Sequence, residues 1–197
     1  MNRRRAHATR AQLLVAAASA LCLCVAWFAT AHPLFAAVQL PAAEVQSLFF
    51  ISKSENKNQV HYAVLVDDAC RPVGDHPVYG YWRELEVGPQ ATSKLLDHEQ
   101  RAYGVGEPRY VRSTDKGGEI RISLRGFPER PLFIETFRQV DGRRSRCAAR
   151  THIMIQHQPA ILSSIYIDLG FLFSVNYALV RGVRIADGVA VEEKIHD

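Results

Sequence analysis

Residues 77–86, PVYGYWRELE, concentrate side chains that could bind a ligand or transfer a proton. Alternate side chains of an extended strand point to opposite faces. One face then carries Tyr79, Tyr81 and Arg83, and the other carries Trp82, Glu84 and Glu86. Aromatic rings beside a guanidinium can stack on sugars or planar ligands. Core aromatics accompanied by an arginine that reaches outwards are the competing interpretation.

A second group of acid–base residues follows at Asp97-His98-Glu99. Adjacent positions on a helix point about 100° apart, so these three side chains cannot converge on one metal ion without ligands from elsewhere. We therefore predict no metal site. If the protein is a hydrolase or transferase, we expect a buried pair with opposed pKa shifts among a short set of residues. These candidates are His61, Glu84, Glu86, Asp97, His98 and Glu99.

The polar stretch KSENKN, 53–58, lies between two apolar segments. It contains no glycine and no helix pattern follows it, which argues against a phosphate-binding loop. Residues 54–57 match S-x-x-K, but no S-D-N or K-T-G motif accompanies them. We interpret the stretch as the solvated bend of a hairpin. Contact between an anionic partner and Lys53 and Lys57 is the alternative.

The N-terminus carries four arginines, followed by a charge-free and mostly apolar run from Ala11 to Ala31. This is the organisation of a secretory signal peptide, and Ala29-Thr30-Ala31 has the small-x-small form of a cleavage site. An uncleaved membrane anchor is the alternative, because a run of this length can also cross a bilayer. Both interpretations export the body. We expect a periplasmic or secreted protein, or an inner-membrane protein whose body lies in the periplasm.

Charge and cysteine content agree with an exported body that does not bind nucleic acid. Of the 24 Lys and Arg, four precede residue 31, and the remaining 20 are matched by 20 Asp and Glu. A balanced body lacks the basic footprint of a nucleic-acid-binding protein. If the signal is removed, Cys70 and Cys147 are the cysteines that remain, and an oxidising compartment favours a disulfide between them. Two free buried thiols are the alternative.

The rest of the chain alternates between turn signals and short segments rich in β-branched and aromatic residues, a spacing typical of a β-sandwich or barrel. The predicted strands lie at 47–53, 59–67, 78–86, 105–114, 119–126, 132–140, 144–156, 160–169, 175–185 and 189–195. Asp141-Gly142, Asp187-Gly188 and the longer bend at 115–118 predict hairpins. One or two helical turns are expected at 92–100.

These elements predict an all-β fold. We expect an antiparallel meander of about ten strands that forms a barrel or a two-layer sandwich and so hides its sheet edges. One short helix and an N-terminal signal or anchor helix complete it. The predicted organisation is a signal or anchor at 1–31, a linker at 32–46 and a single β domain at 47–197.

Small barrels of about eight to ten strands can hold one ligand. The leading hypothesis is therefore an exported, non-enzymatic module without a cofactor, which binds a small or lipid-like ligand or an envelope partner. The predicted ligand-binding residues are Tyr62, Tyr79, Tyr81, Arg83 and Tyr103. An envelope hydrolase or transferase and a membrane-tethered structural protein are the alternatives. Membrane contact is expected only through an uncleaved N-terminal segment, and the sequence indicates no particular oligomeric state.

Three segments, FFISKSENKNQVHY, PVYGYWRELE and LLDHEQRAYGV, resemble in content and order the bacterial family called domain of unknown function 4833. Members of that family look exported and carry similar F-x-I-x-[KR]-S, P-V-x-x-Y-W and A-Y-G segments. The resemblance covers roughly 47–195. It implies no reaction and transfers no catalytic residue. It suggests that the three segments belong to one site or one structural seam.

Overall fold

The computed structural model describes residues 43–196 apart from 115–116 and 172–173. The predicted signal or anchor, 1–31, and the predicted linker up to residue 42 lie outside the described residues, as does part of the predicted bend at 115–118. The strands are β1 (Glu44–Lys53), β2 (Asn56–Val66), β3 (Val78–Arg83), β4 (Thr92–Lys94), β5 (Arg109–Thr114), β6 (Gly117–Leu124), β7 (Phe127–Asp141), β8 (Arg144–Ile155), β9 (Gln158–Leu169), β10 (Val175–Arg184) and β11 (Ala190–Ile195). The helix α1 is Glu99–Tyr103.

The strands form one curled sheet with the shape of a half-barrel, which confirms the predicted all-β class. Its order is β4-β3-β2-β1-β9-β8-β7-β6-β5, with β10 paired to β9 and β11 to β10. β1 and β9 are parallel, so the sheet is mixed and departs from the predicted antiparallel meander. One edge of β9 is shared, because β8 pairs with its residues 158–161 and β1 with its residues 164–167. Local sequence signals do not report such a distant pairing.

One row of paired residues crosses seven strands on the inner face of the sheet. Opposite residues on neighbouring strands point to the same face. The row, which we call the cross-sheet row, runs Glu193, Val180, Ile165, Ile51, Val60, Trp82 and Ser93. Its four central aliphatic side chains are 0–5% exposed and belong to the hydrophobic core. Burial of each such side chain stabilises the fold by about 1.5–3 kcal/mol.

Within the described residues, two hairpins form at the Asp-Gly pairs that predicted them, and the β8–β9 hairpin forms without glycine. β7 and β8 meet at Gly142, whose φ of 57° is the left-handed conformation that favours glycine. Gly188, with φ of 72°, lies in the bend between β10 and β11. The β8–β9 turn has positive φ at both Gln156 and His157, as a type I′ turn requires, although neither residue is glycine. That turn could not be recognised from composition.

The region between β3 and β5 differs most from the prediction. Residues 92–94 form the edge strand β4 rather than a helical turn, and α1 begins later, at Glu99. β3 ends at Arg83, because 84–86 turn towards β4. Residues predicted as the start of the strand at 105–114 are irregular up to 108. Among the described residues no helix has the length and apolar character needed to cross a membrane.

A disulfide joins Cys70, in the loop after β2, to Cys147 on β8, which confirms the predicted pairing. The two Cα atoms lie 5.2 Å apart, within the usual reach of a disulfide. Both cysteines are buried in the core. The bond links the N-terminal hairpin to the β7–β8 hairpin, which are distant along the chain.

Candidate functional site

The three segments that resemble one family meet at a single place on the inner face. The Lys53 ammonium lies 5.4 Å from the centre of the Trp82 ring. The Trp82 indole donates a hydrogen bond of 2.9 Å from Nε1 to Oε2 of Glu99. The Tyr103 ring meets Trp82 edge-on, with 5.7 Å between centroids. Residues of β1, β3 and α1 therefore form one seam, as the resemblance suggested.

Strand register and helix contacts position these side chains. Lys53 is the last residue of β1 and lies opposite Asn56 across a two-residue turn, which confirms the hairpin bend. Glu99 begins α1, and its Oε2 also accepts a hydrogen bond of 2.7 Å from the backbone N–H of Leu96. That carboxylate thus holds the loop before the helix and the indole of β3 together. The seam is fixed by directional hydrogen bonds as well as by packing.

A polar cavity of about 430 Å³, which we call the cleft, opens beside this seam. It is lined by Lys53, Asn56, Asn58, Trp82, Glu84, Ser93, Lys94, Leu96 and Glu99. Several of its side chains are already held in place. The Ser93 hydroxyl donates to Oε1 of Glu84, so the β3–β4 connection supplies a fixed carboxylate.

The charges around the cleft are closely paired. Lys53 Nζ lies 3.0 Å from Oε2 of Glu55, and its side chain is 18% exposed. Burial raises the pKa of Tyr103; the positive charge of Lys53 opposes this shift, and Glu55 and Glu99 add to it. Tyr103 is therefore a neutral hydrogen-bonding group at ordinary pH, and Lys53 is a shielded cation.

A second cavity, of about 330 Å³, is lined in part by Tyr103, and we call it the chamber. Its walls come from the inner face of the half-barrel and from α1. They comprise Ile51, Ala102, Tyr103, Leu124, Gly126, Phe127, Glu129, Ile165, Ile167, Val175, Ala178, Val180, Ile195 and His196. Apart from Tyr103, Glu129 and His196, these residues are apolar. A chamber of this size lies at the lower end of the range of about 300–1,000 Å³ found for small-molecule sites.

The five predicted ligand-binding residues are split between the two faces of the sheet. Tyr62 is fully buried on the inner face, where its ring stacks on Phe49 with 4.5 Å between centroids. Its hydroxyl donates to the Tyr103 carbonyl at 2.7 Å. Burial, and after it the neighbouring Tyr103, hold the pKa of Tyr62 above its usual value. A Cβ at Gly80 would lie 3.2 Å from the Tyr62 ring, so that glycine makes room for it.

Tyr79, Tyr81 and Arg83 lie on the outer face of β3, because each alternates with the inner-face residues Gly80 and Trp82. The Tyr81 ring lies near Tyr79, 6.0 Å between centroids. The Arg83 guanidinium donates to the carbonyl of Pro89 at 3.0 Å. The structure therefore brings Tyr62 and Tyr103 together but separates them from the other three by the thickness of the sheet.

The predicted acid–base residues are also divided. Glu84 and Glu99 both line the cleft. His61 lies on the outer face opposite Tyr81, and burial, then the charge of Arg83, lower its pKa. In the described ranges no group of three or more His, Cys, Asp or Glu side chains could hold a metal ion.

The remaining three candidates, Glu86, Asp97 and His98, are exposed and lie outside the cleft lining. The Lys57 N–H donates to Oε1 of Glu86 at 3.4 Å, which ties this carboxylate to the β1–β2 bend. Asp97 and His98 precede α1, and His98 occupies its N-cap position without a side-chain capping bond. These positions leave Glu84 and Glu99 as the acid–base candidates that share a cavity.

Sequence reasoning missed five residues of the cleft, namely Asn56, Asn58, Ser93, Lys94 and Leu96. The first two were assigned to a solvated bend and the other three to a helical turn. The sequence signal that could have indicated Asn56 and Asn58 was their position in the bend beside Lys53, the lysine of the F-x-I-x-[KR]-S segment. The aliphatic residues of β9 lie on both of its faces, so their pattern could not indicate which face bounds a cavity.

Comparison with known proteins gives a family and nothing further. Residues 49–194 match the family model described as Domain of unknown function (DUF4833). No curated protein and no solved structure shows a significant match to the chain.

Proposed function

The chain belongs to the family of domain of unknown function 4833, and from that premise we propose that it is an exported, non-catalytic module that binds a small lipid-like ligand in the chamber. The observation that carries the proposal is the apolar cavity itself. It is bounded by aliphatic side chains from β1, β9, β10 and β11, and Tyr103 of α1 also lines it. Cavities lined in this way favour apolar ligands with few polar groups.

The size of the chamber suits one alkyl chain rather than a large ring system. Each methylene group transferred from water to an apolar site contributes about 0.8 kcal/mol. That value corresponds to about a fourfold tightening of Kd for each added methylene. Tightening should stop once the cavity is filled, because further methylenes would remain in water.

Calorimetric titration of the full chain with neutral 1-alkanols, from hexanol to decanol, tests the proposal. We expect Kd to fall by about fourfold per methylene and then to level off. Ala178→Phe, which fills the chamber from β10, should abolish binding. Ala190→Phe is the matched control, because Ala190 is exposed on β11 and lies outside the chamber lining. Binding without dependence on chain length, or equal loss in both variants, refutes the proposal.

An envelope hydrolase or transferase has weaker support. Glu84 and Glu99 share the cleft, but one oxygen of each is already engaged by Ser93 or by Trp82 and the backbone. Native mass spectrometry of protein purified from its own envelope separates the two functions. A retained small molecule supports the binding module, and its consistent absence counts against it.

Export is part of the proposal and has its own test. The charge-free run that follows the N-terminal arginines supports it. The intact mass of the exported protein should correspond to a chain that begins at His32. A chain that retains Met1 would instead favour the membrane-tethered alternative.

A further inference from the structure

We propose that the cleft is a second binding site, separate from the chamber, and that its ligand is a hydroxyl-rich molecule such as a neutral saccharide. The proposal rests on the balance of hydrogen-bond donors and acceptors in the cleft and on its charge. It does not depend on what the chamber binds.

Two asparagines supply fixed donors. The Oδ1 atom of Asn56 accepts from the backbone N–H of Asn58 at 3.1 Å, and Oδ1 of Asn58 accepts from the N–H of Glu86 at 3.2 Å. A backbone N–H can only donate, so these contacts fix which end of each amide is oxygen. Neither NH₂ group has a hydrogen-bond partner in the described part of the chain, so both can donate to a ligand at the cleft wall.

Two carboxylates supply fixed acceptors. Glu84 uses one oxygen to accept from the Ser93 hydroxyl, and Glu99 uses one to accept from Trp82 and from the Leu96 N–H. Each carboxylate is therefore held in one orientation while its second oxygen has no partner assigned within the described part of the chain. Groups held in place before binding lose less entropy when a ligand arrives.

The charge of the lining argues against an ionic ligand. The lining carries Lys53 and Lys94 against Glu84 and Glu99, and Lys53 is already paired with Glu55 outside the lining. A phosphate is an anion that offers mainly acceptors and would meet two carboxylates, whereas a primary ammonium offers only donors and would meet two lysines. A hydroxyl combines one donor with two acceptors. A set of hydroxyls can therefore use both the amide and the carboxylate groups of the cleft.

An apolar surface completes the site. Trp82 and Leu96 line the same cavity as the polar groups. An indole offers a large apolar area together with one polar N–H group, and here that N–H is already hydrogen-bonded to Glu99. Sugar rings present C–H groups beside their hydroxyls, so this combination fits a saccharide better than a linear peptide or a bare polyol.

The chain provides its own fluorescent reporter. It contains two tryptophans, Trp27 and Trp82. Trp27 lies in the predicted signal, so a chain that begins at His32 has Trp82 as its single indole, and Trp27→Phe gives the same result if the N-terminal segment is retained. We would titrate this protein with maltose, cellobiose and chitobiose, and separately with inorganic phosphate and ethylammonium. At least one disaccharide should give a saturable change in Trp82 emission, and neither ion should compete with it. No response to any disaccharide, or tighter binding of phosphate or ethylammonium, overturns the proposal.

Two variants in the same background locate the site. Glu84→Gln should weaken disaccharide binding by about tenfold, because a hydrogen bond to a charged acceptor is lost. Asp97→Asn, at an exposed carboxylate outside the cleft lining, is the matched control and should leave Kd within about twofold. If Glu84→Gln lowers the melting temperature, Lys94→Met provides a second test of the cleft. Lys94 is exposed, so this substitution should leave the fold intact. Unchanged binding in both Glu84→Gln and Lys94→Met places the ligand elsewhere.

Alkanol binding separates this site from the proposed function. Ala178→Phe should abolish alkanol binding and spare disaccharide binding, and Glu84→Gln should do the reverse. Loss of both ligands in either variant would contradict the claim of two separate sites. If neither the wild type nor any variant binds alkanols but disaccharide binding is retained, the chamber proposal is refuted and the cleft proposal stands.

Discussion

Glu193 anchors the last strand of the sheet, and replacing it by glutamine should destabilise the protein in a pH-dependent way. Its two carboxylate oxygens accept from the Arg130 guanidinium at 2.5 and 2.8 Å, and one also accepts from the N–H of Gln156 at 2.8 Å. The pair joins β11 to the start of β7. The hydrogen bonds from Arg130 lower the pKa of Glu193 to about 2, although partial burial opposes the shift.

The structure sets the expected magnitude and its sign. Each pKa unit corresponds to about 1.4 kcal/mol, so a fall from 4.5 to about 2 gives an upper figure of about 3 kcal/mol. The two side chains are 29% and 22% exposed, and solvent screening reduces this to about 1–2 kcal/mol. Because the folded pKa is depressed, the stabilisation is fully present above about pH 4.5 and is lost as the pH falls through about 2.

Urea denaturation of wild type and of Glu193→Gln, at neutral pH and near about pH 3, measures the effect. The difference in free energy of unfolding should be about 1–2 kcal/mol at neutral pH and less than about half of that in acid. Glu192→Gln is the matched control on the same strand, because its pair with Arg181 is about half exposed, 48% and 46%. That substitution should cost about 0–1 kcal/mol. Equal costs at the two sites, or a Glu193→Gln effect that persists in acid, would refute the reasoning.

Two further changes in the hydrophobic core should shift the free energy of unfolding in opposite directions. Replacing Cys70 and Cys147 together by alanine removes a link that spans 77 residues, so the free energy of unfolding should fall by about 2–4 kcal/mol; reductant should lower the melting temperature of the wild type and leave that of the variant unchanged. Thr151 is fully buried on β8, and its hydroxyl has no hydrogen-bond partner in the described part of the chain. Thr151→Val should therefore raise the free energy of unfolding by about 1 kcal/mol, and a measurable loss of stability in calorimetry would contradict this.

The elements that sequence predicted correctly are those marked by local chemistry. Gly142 permits the turn between β7 and β8, and alternation in 119–124 marks β6. The pairing of Cys70 with Cys147 was predicted from the oxidising compartment that export implies and from the number of cysteines left after signal removal. Each of these signals involves a few neighbouring residues or a property of the whole chain. Neither kind requires knowledge of which strands lie side by side.

The parallel contact between β1 and β9 could not be predicted in that way. Parallel neighbours are normally joined by a crossover connection with a helix, whereas β1 and β9 are separated by seven other strands along the chain. Both strands carry apolar residues at consecutive positions, which is compatible with several partners. The assembly of the candidate site could not be predicted for the same reason. Lys53, Trp82 and Tyr103 were each singled out, but their convergence depends on the sheet order.

The register of β1 against β9 determines both cavities. Ile51 lies opposite Ile165 and borders the chamber, and Lys53 lies opposite Ile167 and borders the cleft. Side chains alternate along a strand, so a slip of one residue would turn both away from the inner face. Phe50 would then take a place that an aliphatic residue now occupies. The two proposed sites have different chemistry but share this one structural requirement.

Ser54 fixes that register directly. Its backbone N–H donates to the Ile167 carbonyl at 3.0 Å, and its hydroxyl accepts from the N–H of Leu169 at 3.0 Å. The serine of the S-x-x-K match thus extends the β1–β9 ladder past the end of β1, which gives the residue a structural role that requires no nucleophile. The serine hydroxyl supplies this acceptor where the strand ends and the turn begins, whereas an alanine there would leave the exposed Leu169 N–H to water. The motif serine therefore serves the cleft by holding Lys53 in place.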